Sequence, residues 1–302
     1  MTDNLRGMLA MLAGSTAFAF NDAIVKLVSS ELPSGEIIVI RGAIATVLLY
    51  AGCIALGALR PLSVLMAPMM MLRVLSAATA TTFIVLSLRY MPLPVVTTAM
   101  QVTPLAVTAA AAVIYRERVG WRRWAAILVG LLGVILIVKP GSTMFGAAAY
   151  LALSALLFTT IRDLTTRGLA RDIPSIFVAA ASAAAITLTG FLVAPFEASW
   201  IMPSTGALGW LGIAGACLFF ANLFIVVALR TGEIAVVAPF RYVPVPLTLW
   251  LGWWWWGDVL DARAFIGIAL VVAAGLYTLH RERSTLRAVA LPAVHGQGRA
   301  VE

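Results

Sequence analysis

The chain has 302 residues, of which 62% are hydrophobic and 11% charged, and its mean hydropathy is +1.00. Soluble domains carry about 25% charged residues, so a water-soluble core is excluded and lipid is the expected solvent for most of the chain. The net charge of +8 does not point to nucleic acid, because the basic residues stand singly or in small clusters between apolar runs.

Ten apolar runs follow one another, near 7–28, 36–57, 69–89, 94–115, 121–138, 146–162, 174–194, 207–229, 234–256 and 262–280. Each has about the length needed to cross a ~30 Å hydrocarbon layer at ~1.5 Å per residue. Helix breakers separate them, among them Pro33-Ser34-Gly35, Arg60-Pro61, Met91-Pro92, Lys139-Pro140-Gly141 and Thr231-Gly232. The connections leave no room for a soluble domain, and the composition of 284–302 predicts a disordered tail. No cleavable signal is expected, since the first run contains Asp22 and Lys26. Two cysteines and two histidines build neither a disulfide framework nor a metal cluster, so no metal and no cofactor are expected.

The third and fourth runs meet in FIVLSLRYMPLPVV (Phe83–Val96), which returns as FIVVALRTGEIAVV (Phe224–Val237), 141 residues later and identical at seven of fourteen positions. The same offset pairs Glu117 with Asp258, Arg122 with Arg263 and Ile127 with Ile268, so an internal duplication is expected. With the N-terminus placed in the cytoplasm, fourteen Lys and Arg fall on inside segments and three, Arg89, Lys139 and Arg263, outside. That bias predicts both termini inside. Five crossings per copy is an odd number, so the second copy is expected upside down. The fold class is therefore all-α integral membrane, with ten transmembrane helices as two inverted five-helix repeats at 5–140 and 145–283. Inverted repeats enclose a site near the midplane and expose it to either side by rocking.

An ionisable group in hydrocarbon is a candidate for function. Asp22 and Lys26 are four apart on one helix and are expected to stack and neutralise each other, either as a packing pair or as cavity lining. Asn21 is adjacent. Arg241 lies in APFRYVPVP among Pro239, Pro244 and Pro246, whereas the first copy has Met100 followed by Gln101 at the matching place. One cation in one half suits a carboxylate, a phosphate or an imide-like edge, the alternative being an Arg satisfied by neighbouring carbonyls. Arg41 and Arg73 lie nearer run ends, where snorkelling to the interface is expected. Trp253–Trp256 point around the whole helix and read as an interface anchor, while Trp250, one turn deeper, could stack on a ligand. A membrane enzyme is not expected, since no catalytic Ser/His pair, aspartate pair or metal-binding His motif falls in the crossings. A channel would need rings of like charge that are missing.

The duplicated unit resembles the EamA branch of the drug/metabolite transporter superfamily. The residues that carry this are Arg116-Glu117-Arg118 before the fifth run, Gly257-Asp258 before the tenth, FNDAIVKL, the segment Pro33–Arg41 and APFRY at Ala238–Tyr242. The Asp22, Lys26, Arg41 and PFRY combination looks most like the subgroup of riboflavin and S-adenosylmethionine carriers. The resemblance implies a multi-pass protein of the bacterial inner membrane and a central cavity lined by helices one to four and six to nine. The expected substrate-binding residues are Asn21, Asp22, Lys26, Arg41, Gln101, Arg241, Tyr242 and Trp250. The charge inside the crossings, Lys26, Arg41, Arg73 and Arg241 against Asp22, disfavours a cation. A neutral or anionic aromatic cargo, riboflavin-like, is therefore placed first, an amino-acid-type metabolite second and S-adenosylmethionine third. The partners expected are this small molecule and the lipid bilayer, with a homodimer held open.

Overall fold

In hydrocarbon every backbone N–H and C=O must be satisfied within the protein, which leaves the helix as the element for runs of this composition. The computed structural model is helical, with no strand among the residues it describes: 3–117, 119–139, 146–170, 172–197, 200–231 and 233–295. Of the residues named above, Arg118, Pro140 and Gly141 lie outside the described residues, as does Gly232. The first half contains α1 (Asp3–Val28), α2 (Ser34–Ala55), α3 (Pro68–Tyr90), α4 (Leu93–Met100), α5 (Thr103–Ile114) and α6 (Trp121–Val138). The second contains α7 (Gly146–Arg167), α8 (Ser175–Val193), α9 (Thr205–Thr231), α10 (Ile234–Val237), α11 (Pro244–Trp256) and α12 (Ala262–His295). The tail expected at 284–302 thus begins within α12, and residues 296–302 lie outside the described ones.

Nine stretches of the described residues are long and apolar enough to cross a membrane, α4 and α5 counting together as Leu93–Ile114. Large apolar side chains such as Val47, Leu132 and Leu188 are more than half exposed, as suits a surface solvated by lipid. The run at 234–256, counted as one crossing with prolines in its ladder, is α10, a 3-10 turn at Ala238–Tyr242, and α11. Pro239, Pro244 and Pro246 have no N–H to give and cannot sustain an unbroken ladder. The run at 94–115 is broken at Gln101–Val102 for the same reason, because Pro104 cannot bond the Met100 carbonyl. The Thr103 hydroxyl donates to that carbonyl at 2.6 Å, and the Thr248 hydroxyl donates to the Pro244 carbonyl at 2.7 Å.

The 141-residue interval recurs in the element boundaries. Ser34 and Ser175, Leu93 and Ile234, Thr103 and Pro244, and Trp121 and Ala262 all open helices, each pair 141 positions apart. Arg116 (φ 54°) and Gly257 (φ 64°), separated by the same interval, both adopt the left-handed conformation. That conformation costs nothing special for Gly and about 1 kcal/mol for Arg, so the turn is kept where its residue is not.

Helices from opposite halves pack in pairs: α1 along α9, α3 along α7, α2 along α8 and α6 along α12, with α4 against α11. Along α2, Gly35 meets Gly190 and Ala194, Gly42 meets Thr187, and Gly52 meets Ile176, so α2 and α8 run antiparallel. Along α6, Gly130 meets Ala274, Gly133 meets Gly267 and Val271, and Ile137 meets Gly267, so α6 and α12 are antiparallel as well. Glycine permits this approach: a β-carbon on Gly190 would sit 2.8 Å from the Gly35 carbonyl oxygen and one on Gly133 2.8 Å from that of Gly267. Gly190→Val should therefore lower stability by about 1–3 kcal/mol. At Gly209, where a β-carbon meets nothing within 4 Å, valine should change stability by no more than about 0.5 kcal/mol. Thermal unfolding in detergent checks both.

Lys139 ends α6 in the left-handed conformation (φ 49°) and its Nζ lies 2.6 Å from Asp261 Oδ2 just before α12. The Lys139 ammonium, the Ala264 N–H and the nearby Arg263 hold the Asp261 carboxyl below its ordinary value of 3.8. A carboxyl lowered on folding stabilises the fold above its unfolded pKa, and the contribution disappears as pH falls through the folded one. The difference in unfolding temperature between the protein and its Asp261→Asn variant should be present at neutral pH and close as pH falls below the ordinary carboxyl value.

Candidate functional site

The eight residues expected at the site fall into three groups and one outlier. The first group joins α1 to α2. Arg41 is 2% exposed, and its Nη1 donates to Asn21 Oδ1 at 3.1 Å. Asn21 is also buried, and its Nδ2 donates to Asp22 Oδ1 at 2.9 Å. The Nε and Nη2 of Arg41 have no hydrogen-bond partner. Arg41 therefore does not snorkel as expected: its position in α2, packed against α8 and α9, leaves it inside the bundle. Arg73 likewise turns to other helices, with Nε donating to Thr166 at 2.6 Å and Nη1 to Ser182 at 3.3 Å.

The second group corrects the expected Asp22–Lys26 pair. Lys26 Nζ donates to the Met91 carbonyl at 2.7 Å and lies 5.5 Å from the centre of the Trp256 ring. Met91 lies between α3 and α4, so its carbonyl is outside any helical ladder and available. The long lysine stem reaches it one turn beyond Asp22, and a carbonyl with an aromatic face replaces the carboxylate. Asp258, in the α11–α12 turn, completes the group. Burial raises its carboxyl above the usual range, against the opposing influence of Lys26 and a hydrogen bond from the Leu93 N–H, and its Oδ2 is left without a partner.

The third group lies where the two broken runs meet. Gln101, at the break between α4 and α5, donates from Nε2 to the Arg241 carbonyl at 3.1 Å. Tyr242 is buried, with its hydroxyl end against Gly275 of α12, where any side chain would collide with it. The Arg241 side chain is exposed into a cavity of about 340 Å³ also lined by Pro104, Thr108, Glu117, Arg123, Asp163 and Arg167. Trp250 is the outlier: it is 53% exposed and stacked on Trp254 at 6.1 Å, one turn along the lipid-facing side. Trp256, read before only as an anchor, meets the Lys26 ammonium with its ring.

Other contacts between the halves were not singled out. The Thr46 and Thr187 hydroxyls are 3.3 Å apart, and these two residues are themselves 141 positions apart, a signal the repeat alignment contains. Near the Lys26 group's end of the bundle, Glu36, 1% exposed and not in a loop, accepts from the Ile201 N–H, and Glu197 accepts from the Gly35 N–H at 2.9 Å. The Lys139–Asp261 pair also joins the two halves.

An all-helical bundle with several membrane-length helices, polar groups inside and a cavity at the broken helices has the form of a multi-pass transporter. Residues 5–139 match the model of the EamA-like transporter family, the family that the sequence resembles. A riboflavin transporter of Vibrio cholerae is 29% identical over 280 residues, covering 89% of this chain and 91% of that one. The pseudopaline exporter CntI of Pseudomonas aeruginosa is 28% identical over 89% of this chain and 94% of its own. An S-adenosylmethionine uptake transporter of Rickettsia prowazekii is 23% identical over 93% and 95%. A solved crystal structure superposes with a TM-score of 0.62 at 17% identity, covering 93% of this chain and 99% of that one, a likeness of fold alone.

Asn21 is the sole hydrogen-bonding partner of the Arg41 guanidinium among the described residues. Asn21→Leu should cost about 2 kcal/mol or more by stranding it. Asn21→Asp, which keeps the acceptor, should cost clearly less in the same thermal unfolding assay.

Proposed function

We propose that this chain is a secondary transporter that carries a small organic metabolite across the bacterial inner membrane by alternating access. Residues 5–140 and 145–283 are its two five-helix modules, inverted about an axis in the membrane plane, with both termini cytoplasmic. The observation that carries this reading is the meeting of each central helix with its own copy: α2 lies antiparallel to α8, with Thr46 and Thr187 in contact. Two copies related by an in-plane two-fold axis must be antiparallel and must touch at equivalent residues where they cross that axis. The packing of α1 on α9 and α3 on α7 is the same contact seen from either half. Five crossings per module then put Glu117 inside and Asp258 outside.

At the outer end the halves are joined through Lys26 and the Trp256 ring, Glu36 and Ile201, Gly35 and Glu197, and Lys139 and Asp261. The cavity at Arg241 lies at the other end. Such an arrangement fits an inward-facing state, in which rocking would undo the outer contacts and close the inner cavity. The cargo reading is riboflavin-like, supported by the similarity to the Vibrio cholerae riboflavin transporter and by the excess of Lys26, Arg41, Arg73 and Arg241 over Asp22. An amino-acid-type metabolite comes second, since CntI is named an exporter of pseudopaline. S-adenosylmethionine, which is cationic, comes third. The substrate-binding residues are Asn21, Asp22, Lys26, Arg41, Gln101, Arg241 and Tyr242, and Trp250 is withdrawn to the lipid-facing surface.

Counterflow in proteoliposomes tests this reading. Riboflavin uptake should accelerate when the opposite side is loaded with riboflavin, whereas a pore would show no such stimulation. Arg241→Ala should abolish counterflow while leaving membrane insertion intact; full activity in that variant removes Arg241 from the site. Cysteines introduced at Glu117 and Asp258 should label from opposite faces, and labelling from one face would sink the inverted arrangement.

A further inference from the structure

The cavity beside Arg241 has a composition that topology alone does not explain. Three guanidinium groups line it, and each comes from a separate element: Arg123 from α6, Arg167 from the end of α7, and Arg241 from the 3-10 turn before α11. None of the three has a hydrogen bond or ion pair with its side chain among the described residues. Two carboxylates also line the cavity, but Asp163 is already engaged by Arg162 at 2.8 Å. Glu117 alone is then set against three cations. The positive-inside bias accounts for arginines at this end of the bundle. It does not account for three of them converging on one partly open cavity without a partner among the described residues.

Like charges gathered in a partly desolvated space repel one another, and an anion placed among them relieves that repulsion. Guanidinium groups approaching from different directions offer bidentate donor pairs to an oxyanion, where a lysine cluster would offer only point charges. A volume of about 340 Å³ is at the lower end of ordinary small-ligand pockets, which begin near ~300 Å³. Gly275 preserves the space by allowing the Tyr242 hydroxyl end to lie against the α12 backbone instead of filling the cavity.

We propose that this cavity is a binding site for an oxyanion, a carboxylate or a phosphate monoester, borne by a small metabolite, with Arg123, Arg167 and Arg241 as its donors. It deepens the transporter reading and rests on it only in assigning the bound group to the transported molecule. Arg167 and Arg241 are exposed and Arg123 half-buried, so binding should weaken with salt.

The test is calorimetric titration of the purified full chain, in phosphatidylcholine nanodiscs, with riboflavin, riboflavin 5′-phosphate, succinate and inorganic phosphate at low and high salt. Oxyanion-bearing probes should bind, and riboflavin 5′-phosphate should bind about tenfold more tightly than riboflavin at low salt. The Arg123→Gln/Arg167→Gln variant should erase that ratio, and Glu117→Gln should enlarge it. If the double variant does not purify, Glu117→Gln alone decides, since an oxyanion site requires tighter binding there. Oxyanion binding that depends on the two arginines without any flavin binding keeps the site and removes the flavin cargo. Flavin binding that ignores both the phosphate and the arginines overturns the site and keeps the cargo. Repeating the titration with phosphatidylglycerol in the nanodisc separates the sources: loss of soluble-anion binding there assigns the site to a lipid headgroup, and retention assigns it to a soluble metabolite. No arginine-dependent binding by any oxyanion overturns the proposal.

Discussion

A peptide group that leaves a helical ladder inside a bilayer must find a new partner within the protein, and this requirement governs where the chain can be irregular. Both broken crossings obey it. At the first break, the Met100 carbonyl that Pro104 cannot use is taken by the Thr103 hydroxyl, and Gln101 reaches across to the Arg241 carbonyl in the second break. Each discontinuity therefore depends on its neighbour or on its counterpart. The Met91 carbonyl, freed between α3 and α4, is met by Lys26 in the same way. Irregular backbone and buried polar side chains are one system, and they concentrate where the two halves face each other.

That system also separates the charges along the bundle. Arg41 is held in the interior by Asn21, Lys26 is drawn toward the turn carrying Asp258, and Arg241 opens onto a cavity at the far end. The contacts between halves near Asp258 are direct, through Glu36, Glu197 and Asp261. Beside Arg241 the halves leave a space. A bundle tied at one end and hollow at the other is unequal along its length, although its helices pair symmetrically.

Much of the architecture was legible before any coordinates. The repeated FIV-x-x-LR segment gave the 141-residue interval on which helix starts recur, and the prolines marked the breaks, although the run at 234–256 proved more fragmented than a single crossing. The site was less legible. Spacing of four correctly puts Asp22 and Lys26 on one face, but a lysine stem spans another turn and goes to the best acceptor within reach, which a distant stretch of sequence supplies. Arg41 was misplaced because distance from a run's end says nothing about which neighbours cover it. Trp250 and Trp256 differ only in the direction of their helix face, which depends on how α11 docks against α4. Arg123 and Arg167 looked like ordinary loop charges, since convergence on a cavity is a property of three elements together.

The turn at Arg116 in one half and the turn at Gly257 in the other follow the same left-handed backbone path with different side chains. At the same interval, Met100 and Gln101 stand in the first half where Arg241 and Tyr242 stand in the second. Under the proposed transporter reading, a chamber walled by such unequal halves has no interchangeable sides, so an asymmetric guest would lodge in it only one way round. Head and tail of such a guest would then be told apart by a feature that duplication alone would have cancelled.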